Sequence, residues 1–68
     1  MGYTKKKSFE KEIEDLAKDL MGTGKRTREA VSVAIAAGNN ASDPPKYYNG
    51  NMREYRYDVA RRTLMNYV

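Results

Sequence analysis

Asn51-Met52-Arg53-Glu54 sets the start of a helix, and the residues that follow it constrain the fold more than any other stretch. An N-cap Asn51 accepts from the Glu54 amide while Glu54 reaches back to the Asn51 amide, the reciprocal pattern of a capping box. At about 100° per residue, Met52, Tyr55, Val59, Thr63 and Tyr67 then fall on one arc, and Tyr57, Ala60, Leu64 and Val68 on the next. Glu54, Asp58, Arg61 and Arg62, with Met65 among them, remain for the solvated face. A helix this apolar needs more neighbours than a short chain supplies. The pattern predicts an assembly or binding surface on helix 51–67.

The chain has 68 residues, near the lower limit at which a hydrophobic core stabilises a fold unaided. It contains no Cys, which excludes disulfides and thiolate zinc sites, and no His, the commonest catalytic base and transition-metal ligand. Either the helices pack unusually well or a second copy or partner supplies buried area. The second is expected. The lysines of the N-terminus have no apolar run behind them, and no stretch approaches the roughly 18 apolar residues that cross a membrane. No membrane partner and a cytoplasmic setting are therefore expected. Asn40-Ala41-Ser42 matches a glycosylation tripeptide and is read as chance.

Charge divides the chain unevenly around its net +4. Lys5, Lys6 and Lys7 make residues 1–7 a basic arm, expected to be disordered. Residues 8–21 are acidic, with Glu10, Glu12, Glu14, Asp15 and Asp19 against Lys11 and Lys18. Ser8 is a plausible N-cap there, and Phe9, Ile13, Leu16 and Leu20 form a narrow apolar stripe with Ala17 on its flank. Lys11–Asp15 and Glu14–Lys18 are ion pairs at helical spacing, and Gly22 ends the helix.

After the Gly22-Thr23-Gly24 break, Thr23 or Thr27 could cap a second helix spanning 26–37 and stopping at Gly38. Val31 and Ile35 lie on one side of it, and Ala30, Val33 and Ala37 on another, which suits a central helix between two neighbours. Val31, Val33 and Ile35 also alternate as a strand would; the alanines and the terminal Gly favour helix. Residues 38–50 read as a loop, because Pro44 and Pro45 interrupt regular structure and Asn49-Gly50 favours a tight turn. The expected fold is an all-α, three-helix domain over 8–68, with helices near 8–21, 26–37 and 51–67.

Gly22-Thr23-Gly24-Lys25-Arg26-Thr27 lacks the spacing of a phosphate-binding Walker loop, since position 19 is Asp and Arg26 follows the Lys. A simpler anion site fits better: Lys25, Arg26 and Arg28 stand beside the free amides of a helix start, where cations are disfavoured unless an anion joins them. The competing reading is a solvated basic turn. Arg53 and Arg56 repeat this pattern in the last helix, either clamping a partner's anions or pairing with the acidic first helix. Tyr47, Tyr48, Tyr55 and Tyr57 are interleaved with basic residues, as at interface hot spots, although the helical tyrosines would equally serve as core. Tyr47 and Tyr48, in a loop, fit a core role less well. No serine has a His to act as its base, so neither catalysis nor a cofactor is expected.

These features predict a small non-enzymatic interaction module: a regulator, adaptor or inhibitor binding a protein partner or itself. The contact residues expected are Tyr47, Tyr48, Met52, Arg53, Tyr55, Arg56 and Tyr57. The alternative is a nucleic-acid-binding protein that contacts phosphates through Lys5, Lys6, Lys7, Lys25, Arg26 and Arg28. Sequence-specific reading by the second helix is not expected, because Ser32 is its only base-reading side chain after Arg28.

Overall fold

In the computed structural model, residues 8–68 are described, and the arm carrying Lys5, Lys6 and Lys7 lies outside them. The described chain is all-helical: α1 (Phe9–Met21), α2 (Lys25–Asn40), a single 3₁₀ turn at Lys46–Tyr48, and α3 (Met52–Met65). Ser8 caps α1 by accepting from the Lys11 amide at 3.2 Å, with Glu10 and Glu12 at the positive end of its dipole. Asn51 caps α3 by accepting from the Glu54 amide at 3.1 Å. The return arm of that capping box differs from expectation. Glu54 accepts from the Asn51 side-chain amide at 3.3 Å, because the Asn51 backbone amide already donates to the Tyr48 carbonyl. Neither Thr23 nor Thr27 caps α2; its N-cap is Gly24, with no side-chain hydrogen bond.

The helices run up, down and up. The three-residue Gly22–Gly24 break reverses α1 into α2, and α3 returns antiparallel to α2. Arg26 in the first turn of α2 therefore meets Tyr67 just past the end of α3, while Gly38 near the end of α2 meets Arg56 and Ala60. Arg53 and Glu12, 4.0 Å apart, join the starts of α1 and α3, which run parallel.

What these helices bury is mostly small. The core is Ile13, Ala17, Ala30, Ala34, Ala60 and Leu64, and only Ile13 and Leu64 are large and fully enclosed. Phe9, Leu16, Met21, Val31, Ile35, Tyr57 and Tyr67 pack around it half-buried. Ala17, expected on the flank of the α1 stripe, is at its centre, and Leu20, expected inside, is exposed. Four of the six core residues are alanines, so the helices approach closely instead of interlocking large side chains.

Gly38 shows why α2 does not stop where the sequence suggests. It is not a cap: the helix continues through it to Asn40. A Cβ at this position would lie 2.5 Å from Phe9 Cζ, 3.0 Å from the Arg56 carbonyl oxygen and 3.3 Å from Ala60 Cβ. A glycine fits here because α1 and α3 both press on its surface.

Gly38→Ala tests that reading with the sign set by magnitudes. Helix propensity favours Ala by about 0.5–1 kcal/mol, whereas overpacking costs about 1–3 kcal/mol. The Phe9 ring can swing aside, but the Arg56 carbonyl belongs to the backbone of α3. The expected outcome is a net loss, with Tm lowered by about 4–8 °C per kcal/mol in a domain of this size, read by circular dichroism melting.

Candidate functional site

The loop from 41 to 51 is tied to α3 through its tyrosines. Pro45 sets an extended entrance (φ −56°, ψ 157°) to the 3₁₀ turn, and Asn49 in the left-handed region (φ 55°) with Gly50 (φ 78°) turns the chain into α3. Asn tolerates that conformation better than most residues. Tyr48 is consequently buried, 7 % exposed, and its hydroxyl donates to Asp58 Oδ2 at 2.7 Å. Its ring lies 5.1 Å from that of Tyr55 and 4.6 Å from that of Tyr47. The hydrogen bond to Asp58, reinforced by burial and by Tyr47, pushes the Tyr48 phenol well above the usual tyrosine range. Tyr48 thus belongs to the fold, contrary to its place among the expected contact residues. Tyr47 remains outside, 70 % exposed.

The arc of α3 is also better covered than its pattern suggests. Met52, Tyr55, Tyr57, Val59, Thr63 and Tyr67 are half-buried, and the Thr63 hydroxyl donates to the Val59 carbonyl at 2.9 Å. Asp58, expected on the solvated face, is half-buried between Tyr48 and Arg61. Of the two apolar arcs only Val68, past the end of the helix, stays exposed (64 %); Met65 (47 %) is exposed on the face expected to be solvated. Leu20, 39 % exposed, is in the last turn of α1. Since α1 and α3 are parallel, these three residues stand at one end of the bundle.

The three basic residues at the start of α2 separate. Arg26 turns toward α3: its guanidinium donates to the Tyr67 carbonyl at 3.1 Å and lies 5.9 Å from the centre of the Tyr67 ring. The antiparallel packing places the positive end of α2 beside the negative end of α3, so this cation is accounted for within the chain. Lys25 is exposed. Arg28 faces the other way and lines a cleft of about 520 Å³ between α1 and α2, with Glu14, Lys18, Thr23, Gly24, Thr27, Val31 and Ser32. Glu14 lies 3.6 Å from Lys11 and not with Lys18 as expected, and Lys11 also holds Asp15 at 3.5 Å.

Arg53 and Arg56 reach the opposite end, where with Phe9 and Asn39 they line a smaller cleft of about 170 Å³. Arg53 pairs loosely with Glu12, both largely in solvent, an interaction worth about 0–1 kcal/mol. Among the described residues no three His, Cys, Asp or Glu side chains are grouped to hold a metal, and no helix is long and apolar enough to cross a membrane.

Comparison with family models, curated proteins and solved structures returns no match for the chain. Lys18, Thr23, Thr27 and Ser32 are the residues that sequence reasoning left out of any site, because no spacing rule says which side of α2 turns toward α1.

Tyr48→Phe removes one hydroxyl and tests the tie between loop and helix. Because the folded-state pKa is raised, stability that depends on neutral Tyr48 is complete below about pH 10 and is lost as pH climbs through the folded value. The variant is expected to melt several degrees lower at neutral pH and to show a shallower loss of stability above about pH 10. Urea titrations at neutral and alkaline pH check both.

Proposed function

We propose that this chain is a small non-enzymatic interaction module, a regulator, adaptor or inhibitor that binds a protein partner or a second copy of itself. The supporting observation is an imbalance. The fold encloses two large side chains, Ile13 and Leu64, while Leu20, Val33, Tyr47, Met65 and Val68 stay exposed. Hydrophobic stabilisation scales with apolar area removed from water, at roughly 25 cal/mol per Å². A domain that withdraws so little of its own gains most from a neighbour that covers the rest. The contact face is centred where α1 and α3 finish, at Leu20, Met65 and Val68, while Met52, Tyr55 and Tyr57 lie in the first half of α3 and Tyr47 is a separate exposed ring.

The nucleic-acid alternative has less behind it. Of its candidate phosphate contacts, Arg26 is already engaged within the fold, donating to the Tyr67 carbonyl.

Sedimentation velocity at micromolar concentration tests the interaction reading, beside the double variant Leu20→Glu/Met65→Glu. The wild type is expected to sediment as more than a monomer or to bind an apolar dye. The variant is expected to lose both behaviours while keeping its helical spectrum and Tm. A wild-type monomer that binds no dye overturns the proposal.

A further inference from the structure

Building on the interaction reading above, we infer that the end of the bundle where α1 and α3 finish docks on the same surface of a second copy of this chain. In that dimer α1 of each copy lies over α3 of the other. Leu20, Met65 and Val68 are exposed at this end, and Leu16 is half-buried beside Leu20 on the same stripe of α1. What decides between occupants is the charge on either side of these residues.

Two strips border the outer seam between α1 and α3. On α1, Glu14 and Lys18 turn toward α2 and line the cleft there, whereas Glu12 reaches Arg53 of α3. Asp15, Leu16 and Asp19 follow Glu12 at three, four and seven residues and so share its side. On α3, Arg56, Ala60 and Tyr67 meet α2. Asp58, Arg61, Met65 and Val68 recur at helical spacing on a different side, which borders the seam.

The two strips differ in sign. That of α1 carries Glu12, Asp15 and Asp19 around Leu16; Asp15 is held by Lys11, and Asp19 makes no ion pair among the described residues. That of α3 finishes basic, with Arg61 followed by Arg62. Asp58, one turn earlier, already accepts from the Tyr48 hydroxyl and lies 3.9 Å from Arg61. Apolar side chains thus stand between an acidic edge and a basic one.

A partner of uniform sign, acidic or basic, meets like charge along one edge. A second copy carries both signs, and a two-fold axis parallel to the helices turns its basic edge onto the acidic one. The levels agree. Glu12 and Arg53 are 4.0 Å apart, Asp19 lies seven residues past the first and Arg61 eight past the second. At about 1.5 Å of rise per residue, Asp19 of one copy and Arg61 of the other fall at nearly the same height, and symmetry makes the contact twice. A two-fold across the helices instead sets α1 on α1 and α3 on α3, like charge on like. Exposed ion pairs add little attraction, so burial of Leu20, Met65 and Val68 supplies the affinity and the charges supply the register.

The test is sedimentation equilibrium of the full-length chain at low ionic strength, beside Asp19→Arg, Arg61→Glu and their equimolar mixture. The wild type is expected to show a monomer–dimer equilibrium. Each variant alone sets like charge on like at both symmetric contacts, and its dimer is expected to be about tenfold weaker. In the mixture each swapped edge meets its opposite, and affinity is expected to return to within about twofold of wild type. Both positions are exposed, so an unchanged helical spectrum and Tm are expected of either variant.

Variants that dimerise like the wild type, a mixture no tighter than either variant alone, or an assembly larger than a dimer overturn the assignment. A wild-type monomer that binds an apolar dye also overturns the second copy as occupant while leaving the interaction reading in place. A monomer that binds no dye removes both.

Discussion

The backbones of α2 and α3 touch across side chains of almost no volume, and the rest of the molecule is arranged around that approach. Ala30, Ala34 and Gly38 recur every four residues along one face of α2, and Ala60 answers them from α3. Close approach multiplies short-range contacts along the seam, but it leaves little space for large side chains between the axes. Phe9, Tyr57 and Tyr67 are consequently displaced to the margins, half-buried around an alanine centre. The rings of α3 cover the seam without filling it.

The same approach fixes the electrostatics. Packing α3 antiparallel to α2 brings the start of one beside the end of the other, so Arg26 finds a carbonyl and a ring 41 residues away. A cation that looks misplaced on its own helix is well placed for its neighbour. Arg28, two residues later, rotates by about 200° and faces α1. One basic cluster in the chain thus becomes two environments in space, one satisfied internally and one lining a cleft. The Pro-containing loop behaves likewise: Tyr48 closes over α3 by hydrogen-bonding Asp58, and only Tyr47 stays outside. Where this internal pairing stops, Lys18 and Arg28 stay exposed beside the α1–α2 cleft, and Leu20, Met65 and Val68 at the end of the bundle where α1 and α3 finish.

The sequence by itself determined the three helices, the Ser8 and Asn51 caps, the Gly22–Gly24 reversal and the interruption at Pro44 and Pro45. Each is a local matter, decided within one turn of chain by side-chain oxygens meeting amides, by glycine's freedom or by proline's missing donor. Only the tertiary structure decided that Gly38 lies inside α2 instead of ending it, since the reason is the Arg56 carbonyl and the Phe9 ring, both remote in sequence. It also chose Ala17 over Leu20 for the core, drew Tyr48 inward, sent Arg26 and Arg28 apart and left Thr27 facing a cleft. Helical periodicity names the residues that share a face. Which face meets which neighbour, and how closely, is set by the fit of all three helices together.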